Sequence, residues 1–274
     1  MRKQLLPLIA LSLLVFQSCK KDDDNPPPTN SPAALKHFVK TIEWDLGVTG
    51  TVSYNTDSTI KSIAYVGLGT GSQTDYTWTG KQLTTVSLAT SLYKNTFTYN
   101  NGLMTRMVNE YRDLTTPSGY KYDYTYTSAG QLKEFKYSRV NEAGTTALTN
   151  TVYTYKANGD FDTVVVTQLA NNLVIKYSID SWSAEIEIHP WLFISTTLSE
   201  YHHIYNYPVL SKLKKLPGKI TQTVINPGGA PRVEKVTTMA YTISNDKRLD
   251  KTVTTLSYPG NPQLDQTQTT NFKY

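Results

Sequence analysis

The sequence predicts an all-β domain, an antiparallel up-and-down meander of hairpins that forms a curled sheet or a barrel. Its 20 tyrosines and its many threonines are residue types that favour strands. In the segments that they dominate, apolar and polar side chains alternate with a period of two, and Gly, Asn or Asp follow at turn positions. One segment has helical spacing instead, so one short amphipathic helix is expected at about 190–205.

The chain begins with a segment typical of an export signal. Arg2 and Lys3 precede an apolar stretch at 5–16, which is shorter than the roughly 20 residues of a spanning helix. Cys19, the only cysteine in the chain, follows in a segment similar to a lipobox. We therefore expect a lipoprotein signal peptide at 1–18 and lipid attachment at Cys19. A cleaved secretory peptide with a chance cysteine is the alternative.

A polar tether is expected between the leader and the folded domain. Residues 19–32 contain two lysines, three consecutive aspartates and four prolines. Proline-rich segments of this kind are extended and lack a packed core. We therefore expect a disordered tether at 19–32 and a single β-meander domain at 33–274, held at a membrane through the lipid on Cys19.

The hairpins repeat along the domain. Each unit has an aromatic strand, a polar turn and a second strand that begins with a large apolar residue, most often Leu. The second aromatic residues of five units recur every 21 to 29 residues, at Tyr54, Trp78, Tyr99, Tyr126 and Tyr155, and a later copy begins at Tyr241. Within one strand, Tyr122, Tyr124 and Tyr126 share a face. This arrangement predicts consecutive hairpins joined as a meander.

The predicted helix at 190–205 interrupts this rhythm. Pro190 suits the first position of a helix, and Pro208 lies just beyond the predicted end. An irregular loop is the alternative, because the segment contains residues that lose freedom in helices. The apolar residues of the stripe have the spacing 3, 4, 3, 4, at Trp191, Ile194, Leu198, Tyr201 and Tyr205.

These aromatic–turn–Gly–x–Leu units resemble the YD repeats of Rhs-type proteins. They are more similar to a family of Bacteroidetes surface lipoproteins of unknown function with a porin-like β fold. The segment 213–220 is similar to a Pro-containing stretch that leads into a strand in that family, and the acidic run after Cys19 resembles its signal for the outer leaflet. The resemblance implies a curled or closed sheet on a lipid anchor, in the outer membrane and exposed at the cell surface. It implies no catalytic residues.

A barrel that spans the membrane is the alternative fold, because its strands alternate too. Two features oppose it. Tyrosine and threonine run along whole strands rather than forming girdles at the two ends of an apolar band, and a lipid anchor would be redundant. We therefore expect a barrel outside the lipid phase.

The four tryptophans are the candidate ligand-binding residues, because aromatic faces on a rigid sheet can stack sugars or apolar ligands. Trp78 and Trp191 fall on apolar stripes, so a core position is the alternative for them. Trp182 follows a polar dipeptide near a turn and is the better candidate for exposure. Trp44 completes the set.

A metal site is a weaker candidate. In an extended strand, Glu185, Glu187 and His189 would share a face, and with His202 or His203 they could ligate Zn²⁺. The alternative is a polar sheet face with surface histidines. The sequence indicates no cofactor.

The function predicted from these features is non-enzymatic binding of a glycan or nutrient at the cell surface. A structural or adhesive scaffold is the alternative, and a metal-dependent hydrolase is a third possibility. The formal net charge is +5, without the lysine and arginine blocks of nucleic-acid-binding proteins. A nucleic-acid partner is therefore not expected.

Overall fold

The computed structural model describes residues 36–45, 47–67, 70–88, 93–111, 118–189, 192, 207–210 and 212–274. The leader, the tether, Cys19, Trp191, His202 and His203 lie outside these residues. So does the predicted helix at 190–205, apart from Leu192.

Sixteen antiparallel strands follow one another in the described chain, and each pairs with its neighbours in sequence. The last strand pairs with the first, from Thr41 with Lys273 to Trp44 with Thr270, so the sheet closes into a barrel. This confirms the predicted all-β meander and shows that it closes. The strands are β1 (Thr41–Trp44), β2 (Val48–Tyr54), β3 (Ile60–Gly67), β4 (Thr70–Thr79), β5 (Gln82–Leu88), β6 (Tyr93–Asn100), β7 (Leu103–Tyr111), β8 (Gly119–Tyr126), β9 (Leu132–Asn141), β10 (Gly144–Tyr155), β11 (Phe161–Gln168), β12 (Val174–Trp182), β13 (Pro217–Ile225), β14 (Arg232–Ile243), β15 (Leu249–Ser257) and β16 (Gln266–Lys273).

The barrel has two different ends. At the end that we call the turn end, each even-numbered strand up to β14 passes into the next odd-numbered strand. The chain also enters β1 and leaves β16 at this end. At the opposite end, the loop end, odd-numbered strands pass into even-numbered ones. At the two-residue turn Asn101–Gly102, both residues have positive φ, as a type I′ hairpin requires.

The aromatic residue that recurs in the sequence closes each hairpin unit at the turn end. Its side-chain OH or NH donates a hydrogen bond to a backbone carbonyl at the start of the preceding strand, for example from Tyr155 on β10 to Leu132 on β9 at 2.7 Å. In five units a β-bulge immediately precedes this residue, and bulges re-aim the side chains beside them. We call these contacts clamps. The other donor–acceptor pairs are Tyr54–Val39, Trp78–Ile60, Tyr99–Leu83, Tyr126–Met104, Tyr241–Pro217 and Tyr274–Leu249.

Apolar side chains fill the barrel in the half next to the turn end. A barrel of this strand number is wide enough for an aqueous interior unless side chains or an inserted segment fill it. Here the largest fully buried residues all lie near the turn end, on the strands or in the β12–β13 connection. They are Phe135, Ile42, Ile60, Ile63, Leu83, Ile179, Leu192, Leu216 and Ile220.

The outward face of the described strands is polar. Arg106 and Asp123 form an ion pair of 2.6 Å on the outside of β7 and β8, midway along the barrel. Lys136 is exposed at the same level on β9. A lipid-facing barrel carries an apolar band at this height, and the described strands carry none. The large exposed hydrophobic residues are scattered: Val66, Val152, Leu169, Val233 and Leu264.

The connection between β12 and β13 packs against the turn end. Ile186, Ile188 and Leu216 are buried, and the backbone NH of Glu187 donates to the carbonyl of Lys247 in the β14–β15 turn. A one-turn helix, α1 (Tyr207–Leu210), lies in this connection. In the described part of the chain, no helix has the length and hydropathy of a membrane span.

Pro208 lies inside the first turn of α1, where the missing NH of proline costs no helical hydrogen bond. One local expectation for this connection is wrong. Residues 185–189 form no strand, because the backbone leaves the β12 ladder after Trp182 and crosses the barrel end.

A candidate binding wall inside the barrel

Polar side chains line the barrel interior in the half next to the loop end. The strand register places Asn95 opposite Asn109, and Asn109 opposite Tyr120, across β6, β7 and β8. The next row of paired residues, closer to the turn end, contains Tyr122, Tyr137 and Thr149 on β8, β9 and β10. These six residues are neither fully buried nor fully exposed. We call this set the inner wall: Asn95, Asn109, Tyr120, Tyr122, Tyr137 and Thr149.

Three tyrosines form an aromatic stack at the centre of the inner wall. The ring of Tyr137 lies 5.2 Å from that of Tyr120 and 4.7 Å from that of Tyr122, measured between centroids. Side chains alternate along β8, so Tyr122 shares the inward face with Tyr124, which is buried against Phe135. The stack therefore lies directly above the apolar core.

Two amides extend the inner wall beside the stack. Asn109 Nδ2 donates to Asn95 Oδ1 at 2.6 Å, and Asn95 Nδ2 donates to the Tyr207 hydroxyl at 3.2 Å. Tyr207 comes from α1 and also packs against Phe97, with 4.6 Å between ring centroids. The β12–β13 connection thus places the Tyr207 side chain next to the inner wall.

The six side chains of the inner wall are uncharged near neutral pH, and one cation, Arg139, lies beside them on β9, opposite Tyr120. Burial raises the pKa of the Tyr122 and Tyr137 hydroxyls, so both keep their protons. Burial also raises the pKa of Tyr207 to about 12, against a smaller lowering effect of the bond from Asn95. Such a surface can offer aromatic faces for stacking and uncharged donors and acceptors for hydrogen bonding.

Hydroxyl groups without a partner flank this surface. Thr151 lies two residues after Thr149 on the same face of β10. The Oγ1 atoms of both residues are buried and make no hydrogen bond within the described chain. The same holds for the hydroxyl of Tyr76 on β4. Buried polar groups normally find partners, so each of these groups has unused hydrogen-bonding capacity.

The structure places the three described tryptophans against the core, in separate parts of the barrel. Trp44 is half-buried and its ring lies over Gly50, where a Cβ atom would come within 3.0 Å of the ring. Trp78 is a clamp donor to Ile60. Trp182 occupies the corresponding position on β12, but its Nε1 has no partner, and its ring meets Phe161 edge-on at 4.8 Å. None of the three contributes to the inner wall.

The candidate metal ligands that the structure describes do not come together. Glu185 is exposed and pairs with Lys247 at 2.7 Å, and Glu187 is partly buried. His189 is buried next to Trp78, and burial lowers its pKa to about 3, with a smaller effect from Lys81. The part of the chain that the structure describes holds no group of three His, Cys, Asp or Glu side chains arranged for a metal. His202 and His203 lie outside it.

Sequence reasoning missed most of the inner wall. The shared face of Tyr122, Tyr124 and Tyr126 was visible as alternation, but nothing local indicated that it points into the barrel. Asn95, Asn109 and Tyr207 have no sequence signal of their own, since Asn95 and Tyr207 are 112 residues apart.

Two solved structures from Bacteroides share this fold. A porin-like protein from Bacteroides uniformis superposes with a TM-score of 0.55 at 16% identity, covering 86% of this chain and 96% of that one. A porin-like protein from Bacteroides vulgatus gives a TM-score of 0.56 at 12% identity, covering 87% of this chain and 99% of that one. At these identities the likeness establishes the fold alone, and it confirms the expected porin-like β fold.

Comparisons at the sequence level add no family. No protein-family model matches the chain, and no curated protein matches it significantly. Membership of a lipoprotein family and the relation to YD repeats therefore stay predictions.

Proposed function

We propose that this protein is a lipid-anchored, non-enzymatic protein of the outer membrane and cell surface that binds a carbohydrate on its inner wall. The observation that carries the proposal is the tyrosine stack of Tyr120, Tyr122 and Tyr137 inside a closed barrel, with amides beside it. Sugar rings have apolar faces that stack on aromatic rings, and their hydroxyl groups exchange hydrogen bonds with amides and tyrosine OH groups.

The position of the chain entry supports this function. The described chain begins at Lys36 and enters β1 at the turn end. If Cys19 carries the lipid, the anchored segment joins the described chain at this end, and the loop end is free to face away from the membrane. The inner wall then faces the extracellular medium, where a glycan would approach.

Two observations support the proposed location. The Bacteroides neighbours described as porin-like are consistent with an outer-membrane or surface protein. The polar outward face, with Arg106, Asp123 and Lys136 midway along the barrel, favours a barrel held outside the lipid phase by its anchor.

The test is a thermal-shift screen of residues 33–274, one compact unit that contains every strand ladder, against oligosaccharides and polysaccharides. Ligand at 100 times its Kd adds about 2.7 kcal/mol to the free energy of unfolding. We expect a shift with one glycan class, and we expect Tyr122→Ala and Tyr137→Ala to abolish it. Lys136→Ala, on the outward face beside Tyr137, is the matched control and should keep the full shift.

Three outcomes of the screen would oppose the proposal. No shift with any carbohydrate would favour the adhesive scaffold, which has support from Trp44, Trp78 and Trp182 all packing against the core. A shift with Zn²⁺ alone would favour the hydrolase. A glycan shift that survives both tyrosine substitutions would place the binding site elsewhere on the barrel.

A further inference from the structure

Lysine and arginine side chains concentrate at the turn end of the barrel. They lie before β1, in the short turns, in the β12–β13 connection and on the first or last three residues of the strands that meet there. Most of them are exposed. The set is Lys36, Lys40, Lys61, Lys81, Lys133, Lys156, Lys212, Lys214, Lys215, Lys219, Lys247, Arg248, Lys251 and Lys273.

Acidic residues neutralise only part of this set. Lys247 pairs with Glu185, Lys215 with Asp160, and other cations of the set make similar pairs. Lys212 instead bonds the carbonyl of Gly130. The remaining exposed lysines make no ion pair with the described chain: Lys36, Lys40, Lys61, Lys133, Lys214 and Lys251.

The loop end has no such excess. Over its described turns and the three strand residues on either side of each, cations do not outnumber anions. The cations are Lys94, Lys121, Arg139, Lys176 and Arg232, and the anions are Glu43, Asp45, Glu110, Glu142, Glu234 and Asp265. The positive charge of the barrel is therefore polarised along its axis, toward the end where the chain enters.

We propose that the turn end docks on the anionic lipid headgroups of the membrane that anchors the protein. The six unpaired lysines lie before β1, on β3, β9 and β15, and in the β12–β13 connection, so they surround the rim rather than form one spot. A rim of cations fits a flat, negatively charged surface better than it fits the focused charge of a single acidic peptide. Juxtamembrane lysines are attracted to anionic lipids within a Debye length.

The tether strengthens this contact. The described chain enters the barrel at the basic end, so with the proposed lipid on Cys19, docking becomes an intramolecular event at high effective concentration. The consequence is a fixed orientation, with the loop end held outward. This inference uses residues at the opposite end from the inner wall, so it stands or falls independently of carbohydrate binding.

The test measures binding of residues 33–274, which carry no lipid, to vesicles by co-sedimentation. One set of vesicles is pure phosphatidylcholine and the other contains phosphatidylglycerol as well. The basic-end variant carries Lys40→Gln, Lys61→Gln, Lys133→Gln and Lys251→Gln. A control variant with the same change in net charge carries Lys94→Gln, Lys136→Gln, Arg139→Gln and Lys176→Gln, all at the loop end or midway.

We expect binding to the anionic vesicles only, weakened by salt. The basic-end variant should bind at least about tenfold more weakly, and the control variant should stay within about twofold of the unmodified segment. Equal weakening of both variants would overturn the proposal, because it would show attraction by net charge without a docking face. Failure to bind anionic vesicles, or equal binding to both kinds, would also overturn it.

Discussion

The clamp hydrogen bonds predict a measurable contribution to stability from single tyrosine hydroxyls. In Tyr155→Phe the ring stays in place, so no cavity opens, but the bond of 2.7 Å to the carbonyl of Leu132 is lost. A net hydrogen bond contributes about 1 kcal/mol, and an unsatisfied buried carbonyl adds to the loss. Because Leu132 is buried, we expect the free energy of unfolding to fall by about 1–2 kcal/mol.

Tyr76→Phe is the matched control, because it makes the same chemical change at a buried hydroxyl without a partner. It should leave stability unchanged or raise it by up to about 1 kcal/mol. Urea unfolding followed by circular dichroism measures both variants. With a slope of about 2–3 kcal/mol/M, the midpoint for Tyr155→Phe should fall by roughly 0.5 M at unchanged slope. Equal midpoints for the two variants would refute the clamp.

Three further perturbations test local parts of the structure. Burial lowers the pKa of His189 from 6.5 to about 3. As the pH falls, His189 therefore binds a proton in the unfolded chain at a higher pH than in the folded protein. Stability should therefore fall as pH drops below about 6.5 toward 3, by up to about 1.4 kcal/mol per pH unit, and His189→Leu should remove that contribution from a pH series of thermal melts. Gly50→Ala brings a methyl group within 3.0 Å of the Trp44 ring and should cost about 1–3 kcal/mol in urea unfolding, while a neutral result would contradict the packing of that ring. Asp123→Asn removes the exposed partner of Arg106 and should change the unfolding free energy by less than about 1 kcal/mol, so a larger loss would show that this pair is not on a solvated face.

The sequence predicted the repeating part of the fold well because that part is local. Alternation in the aromatic strands and the turn residues between them identify hairpins, and Tyr155 and Tyr241 mark the clamp positions. The repeat pattern did not identify two further residues at the clamp position. Tyr274 ends the chain, and Trp182 precedes the long β12–β13 connection rather than a short turn. Neither has the turn that made the other copies recognisable.

Closure and the inner wall could not be predicted, because they depend on contacts between distant segments. Alternation tells which side chains share a face of a strand, but the pairing of β1 with β16 decides which face points inward. Asn95 meets Asn109 through the register of β6 and β7, and it meets Tyr207 only because the β12–β13 connection reaches into the barrel. The tryptophans attracted attention by residue type, whereas the aromatic stack of the inner wall consists of tyrosines.

The inner wall must be open to solvent if it binds a ligand, and cysteine labelling measures this directly. Residues 33–274 contain no cysteine, so each substitution introduces a single thiol. We expect Tyr137→Cys on the inner wall to react with a small maleimide in the folded protein, as Lys136→Cys on the outside does. Phe135→Cys, in the fully buried core, should stay unreactive. If the cysteine at position 137 is as protected as the one at 135, the interior is closed and the inner wall is not a binding site.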